Sequence, residues 1–208
     1  MDSPAVPSAA RGQPSWQVMV EIRRAGLPVS IVGVEDNVAA FRLHQNGCST
    51  EAEEMYLRVL KQTPDSLRAE ENLGLAYDAE SRPELAEPAL RAAARLAEGQ
   101  KSDEWPFLNL GVFLLDHGRA PEAVPFLEKA VGVAGNSAAC HEKLGRALED
   151  SGKPADGLKE LEKAVRLDPS NPNVHFELGH AYRQAGEMEK ARAEFAKSQR
   201  LRKVRDAK

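Results

Sequence analysis

Five histidines, two cysteines and 32 acidic residues are the side chains of this 208-residue chain whose types could do chemistry. Their spacing arranges none of it. His44, His117, His141, His175 and His180 never form the HExxH pattern that holds zinc on one helix face, and no pair has a third ligand near it in sequence. Cys48 and Cys140 stand far apart without a CxxC partner, so neither a zinc site nor a disulfide framework is expected. Cys48 abuts a turn at Gly47, but no adjacent histidine or basic residue would lower its thiol pKa. The chain has no phosphate loop, no GxGxxG turn and no GxSxG elbow. Acidic pairs such as Glu53-Glu54 and Glu70-Glu71 read as solvated helix faces. No catalytic residue, cofactor or metal is expected, and the chain reads as a non-enzymatic protein.

The order in the sequence lies elsewhere, in a repeat. Leu144-Gly145, Gly152 and Leu161 recur 34 residues later as Leu178-Gly179, Gly186 and Phe195, and 34 residues earlier as Leu110-Gly111, Gly118 and Leu127. Leu73-Gly74, Tyr77, Ala86, Leu90 and Ala93 repeat the pattern after a slip of 37, and Ala39-Ala40, Leu43, Gly47, Ala52 and Tyr56 carry its most worn copy. A fixed period of this size marks stacked supersecondary units.

Each recurring slot has a physical reason. The unit reads as two amphipathic helices joined at Gly47, Gly118, Gly152 or Gly186, where glycine can take the left-handed conformation that caps a helix. Small residues at 40, 74, 111, 145 and 179 let the two backbones approach, met from the other helix by Ala52, Ala86, Ala123, Gly157 and Ala191. Tyr56, Leu90, Leu127, Leu161 and Phe195 fill the space these leave. Pro64 and Pro169 end second helices, because proline cannot donate the next backbone hydrogen bond. Thr50 and Glu53 have the spacing of a capping box. His141 and His175 occupy one slot in successive units and read as packing or capping groups.

On these residues the chain resembles the tetratricopeptide-repeat family. The resemblance spans 33–205, divided into units 33–66, 67–103, 104–137, 138–171 and 172–205, and implies an all-α, right-handed α-solenoid of antiparallel helix pairs. Residues 1–14, rich in Pro, Ser and Ala, read as a disordered N-terminal segment, 15–32 as a short capping helix and linker, and 206–208 as a tail. The first helix of the first unit is expected over about residues 35–46, and the β-branched run at 29–34 is the only stretch that could form a strand.

The resemblance also implies a function. In this family the first helices line a concave groove that binds a partner peptide or helix. Carried over slot by slot, the groove would take Phe41 from the first unit and Arg68 and Leu75 from the second. The third would add Trp105, Leu108, Val112 and Leu115, the fourth Arg146, and the fifth Phe176, His180 and Arg183. The helix from Trp105 is apolar on most of its circumference, so the residues facing inward are expected to be covered by the partner. A clamp for a free C-terminal carboxylate is not expected, because Asn37, Phe41, Trp105 and Ala139 do not fit the positions it needs.

Composition narrows the partner. The net charge of −4 argues against binding driven by overall attraction to nucleic acid. No apolar run is long enough to span a membrane. Residues 189–208 carry +5, which leaves −9 for the remainder. The absence of a signal peptide points to the cytoplasm, or to export if the natural N-terminus lies further upstream. The expected function is a scaffold for an unidentified protein partner; the alternative is the scaffold portion of a larger enzyme or of a secretion or assembly component.

Overall fold

The computed structural model describes residues 29–98 and 103–206, and the expected capping helix at 15–26 lies outside them. Among the described residues there are ten α-helices and no strand. They are α1 (Val29–Gln45), α2 (Ser49–Gln62), α3 (Leu67–Ala79), α4 (Pro83–Glu98) and α5 (Trp105–Asp116). Next come α6 (Ala120–Val133), α7 (Ala138–Asp150), α8 (Pro154–Leu167), α9 (Pro172–Gln184) and α10 (Met188–Asp206). The chain divides into two compact units, Met1–Ala93 and Ala94–Lys208, and the boundary falls inside α4.

In the first compact unit, α1 packs on α2 and α2 on α3. The β-branched run at 29–34 is helical, not extended, and α1 starts six residues before its expected position. A Val or Ile costs a helix only about 0.5 kcal/mol, so four among these six residues do not prevent one. The capping box is also not made. The residue capping α2 is Cys48, which accepts no side-chain bond, and Glu53 is engaged elsewhere. Its carboxylate accepts from the Tyr77 hydroxyl at 3.0 Å and from Arg82 at 2.7 Å, tying α2 to α3 and to the turn that follows. The Arg82 guanidinium holds the Glu53 carboxyl below the usual carboxylate range, while burial and Glu53 together push the Tyr77 hydroxyl up to about 12.

The helix-to-helix turns repeat one geometry. Gly47, Gly118, Gly152 and Gly186 all have φ between +71° and +79°. After each, the next amide reaches back five residues, as in Cys48 N–H to Leu43 O at 2.9 Å and Glu187 N–H to Tyr182 O at 2.8 Å. In the second repeat the same place is held by Ser81 at φ +58°, a conformation that a side chain makes costly by about 1 kcal/mol.

In the second compact unit, α5 packs on α6 and α7, α7 on α8, and α9 on α8 and α10. Its core includes Leu110, Leu114, Leu127, Leu161 and Val174, all without exposed surface. The small-residue slots do what their spacing suggests. A Cβ at Gly111 would lie 2.5 Å from Leu127, and one at Gly179 would lie 2.7 Å from Phe195. The α7–α8 crossing is the tightest against backbone: a Cβ at Gly157 would stand 2.7 Å from the Gly145 carbonyl oxygen.

Candidate interaction surfaces

The side chains nominated for a groove fall on first helices, and they separate by burial. In the first compact unit Phe41 on α1 and Leu75 on α3 are exposed, at 42% and 38%. Arg68 is exposed at the start of α3 and donates to Glu71 at 2.6 Å. Asn72 donates its side-chain amide to Asn37 at 3.4 Å, so α1 and α3 present their nominated faces on the same side of this unit.

In the second unit Trp105 is 49% exposed and Val112 is half-buried, but Leu108 and Leu115 are buried. Those last two therefore offer nothing to a partner. The expectation that all four face inward to be covered by a partner is corrected for Leu108 and Leu115, which the protein itself buries. A helix apolar on most sides is covered on most sides, and here neighbouring helices suffice. Arg146 on α7 faces Asp116 at 3.6 Å and Asp150 at 3.8 Å, a bridge between the first helices of successive repeats. On α9, Phe176 is exposed, His180 half-buried and Arg183 exposed. These three meet: the His180 ring lies edge-on to Phe176 with centroids 4.5 Å apart, and Arg183 donates to His180 Nδ1 at 2.9 Å.

Two buried histidines, each paired with a carboxylate, were not foreseen as pairs from the sequence. His141 Nδ1 lies 2.5 Å from Glu160 and its Nε2 lies 3.1 Å from the Gly135 carbonyl. His175 repeats this with Glu194 at 2.5 Å and the Pro169 carbonyl at 3.0 Å. A carbonyl only accepts, so the Nε2 contact requires the ring to donate there, and Nδ1 faces the carboxylate. Burial alone would raise the Glu194 carboxyl, but hydrogen bonds from Lys197 and His175 outweigh it and hold the carboxyl below its ordinary range. The detectable signal was a histidine followed nineteen residues on by glutamate, recurring at the repeat period. Such pairs join a first helix to the second helix of its repeat.

Cys48 and Cys140 are both free, and burial pushes the Cys140 thiol up. Among the described residues no three His, Cys, Asp or Glu side chains cluster as metal ligands, and no helix is long and apolar enough to cross a membrane.

Glu149, on α7, is the most perturbed carboxylate. Burial pushes it up to about 7, with Glu177 and Asp150 adding repulsion, and its Oε1 is buried without a hydrogen-bond partner. Because its folded pKa exceeds the unfolded value near 4.5, the folded protein binds more protons between the two, and stability falls as pH rises through that window. Glu149→Gln should remove this loss. The variant should match the wild type in urea unfolding near pH 4.5 and exceed it at pH 8 by about 1–2 kcal/mol, a figure reduced for partial solvent access. An equal difference at both pH values would show that the carboxylate is not the cause.

Stacked antiparallel helix pairs of this period, with left-handed turn residues and small-residue crossings, define a helical-repeat protein. The tetratricopeptide repeat family profile matches residues 43–101 and 142–204, more than half of the chain. The chain belongs to that family. Solved structures agree on the fold. MamA 41-end from Desulfovibrio magneticus RS-1 superposes with a TM-score of 0.73 at 21% identity, covering 84% of this chain and 97% of that one. A MamA RS-1 double mutant gives 0.74 at 20% identity, covering 85% and 97%. YrrB, described as a tetratricopeptide repeat protein with an unusual peptide-binding site, gives 0.71 at 18% identity, covering 91% and 92%. No curated protein matches the chain. The family and the fold together make it a protein-interaction scaffold.

Proposed function

We propose that the chain is a non-enzymatic scaffold that binds a partner peptide or helix through the exposed faces of its first helices. One observation carries this reading. Every exposed aromatic residue among the described residues, namely Phe41, Trp105 and Phe176, lies on the first helix of its repeat. The second helices keep their aromatic rings at least half-covered. Exposed aromatic side chains offer large contact area at small entropic cost and dominate binding energy where they anchor an interface. Peptide binding by YrrB, a protein of similar fold, supports the same use of the surface.

The test is capture of a partner from the native host by affinity purification with chemical crosslinking, repeated with Trp105→Ala and Phe176→Ala. Crosslinks should map to α1, α3, α5, α7 and α9, and one of the substitutions should cut recovery about tenfold or more. Crosslinks confined to second helices, with recovery unchanged by both substitutions, would overturn the proposal.

A further inference from the structure

The pocket between α9 and α10 has a composition that selects a ligand. Its volume is about 380 Å³, within the range that accepts a single bulky side chain or small ligand. Three rings form its wall: Phe176 and His180 from α9 and Phe195 from α10. His180 sits edge-on to Phe195 at 5.2 Å, and Phe176 lies 5.7 Å from Phe195, so the rings brace one another. Arg202 stands 5.3 Å above the Phe176 ring and Arg183 stands 6.0 Å from Phe195. Neither guanidinium is ion-paired among the described residues, and no acid lines the pocket. An apolar floor with two unneutralised arginines at its edge suits a group that is apolar in the middle and anionic around it.

Resting on the scaffold reading above, we propose that this pocket binds an acidic peptide segment, which inserts one bulky apolar side chain against the rings and places flanking carboxylates on Arg183 and Arg202. Charge complementarity supports that occupant. The helix that supplies Arg202 lies in the segment of +5, whereas the rest of the chain carries −9 and would repel an acidic peptide. An anionic membrane is the poorer match. Lipid binding needs an apolar face along α10, and its exposed large apolar residues, Met188 and Val204, fall on nearly opposite sides of the helix. Nucleic acid would need bases stacked along several repeats, whereas the three rings that meet here, with Arg183 and Arg202 beside them, all belong to the fifth repeat.

The experiment is fluorescence anisotropy on the full chain with a fluorescein-labelled synthetic peptide in which one tryptophan is flanked by glutamates. Binding should saturate, weaken with salt, and fail when the glutamates are replaced by lysines or the tryptophan by alanine. Arg183→Glu combined with Arg202→Glu should weaken it about tenfold or more, as should Phe176→Ala, with unchanged helical content and melting. Leu57→Ala, at an exposed site on a second helix, should leave it unchanged. Absence of binding, or binding indifferent to both pocket variants, overturns the pocket. So does a preference for phosphatidylserine vesicles or for a labelled polyuridine RNA. If the peptide binds and only Trp105→Ala or Phe41→Ala weakens it, the pocket fails while the scaffold reading stands.

Discussion

Replacing His175 with phenylalanine should destabilise the protein by about 3–5 kcal/mol, while replacing both His175 and Glu194 with phenylalanine should recover most of that loss. The single substitution removes both hydrogen bonds of a buried ring, leaving the Pro169 carbonyl without its donor and Glu194 without its partner at 2.5 Å. Glu194 would keep only Lys197 at 2.7 Å, and that ammonium is partly solvated. A buried carboxylate left with one partly solvated partner, beside a carbonyl without its donor, is the costly product. The double substitution copies an arrangement the chain already uses. One repeat period before His141 and Glu160 stand Phe107 and Phe126, with Lys129 Nζ 5.9 Å and 5.6 Å from their ring centroids. The same two slots are therefore filled by an apolar pair in one repeat and a hydrogen-bonded pair in the next two. Urea unfolding of wild type, single and double variants measures the coupling. Additive losses would show that the histidine and glutamate do not depend on each other.

The repeat was legible because it is built from steric necessities. A chain reversal after a helix requires φ above zero, and a close crossing excludes a Cβ; both leave small residues at fixed intervals. The histidine–carboxylate pairs were not legible as pairs, because nineteen residues separates two helices and follows no period of either one. Local rules also failed where tertiary contacts outbid them. Glu53 had the spacing to cap α2, yet two donors, Tyr77 and Arg82, hold its carboxylate. The run Val29–Val34 has strand-like composition and is helical all the same. Of the nominated surface, slot position alone identified exposed residues on α1, α3, α5 and α9, but it also nominated Leu108 and Leu115, which are buried, because a slot number carries no information on how far a helix is covered.

That last distinction sets up a graded stability test along α5. Leu110 has no exposed surface and lies in the same repeat as the Gly111–Leu127 contact, so Leu110→Ala should cost about 2–5 kcal/mol through lost burial and the cavity left behind. Leu108 is only 5% exposed, and Leu108→Ser should cost at least as much, because it also buries a hydroxyl. Trp105 is 49% exposed, and Trp105→Ala should cost about 1 kcal/mol or less. The order of thermal midpoints should therefore be wild type, then Trp105→Ala close beneath it, with both leucine variants far lower. A Trp105→Ala midpoint as low as that of Leu110→Ala would make the indole a core side chain and remove it from the binding surface. A Leu108→Ser midpoint beside wild type would mean that the α5 face is open, with room for a partner where α7 is packed.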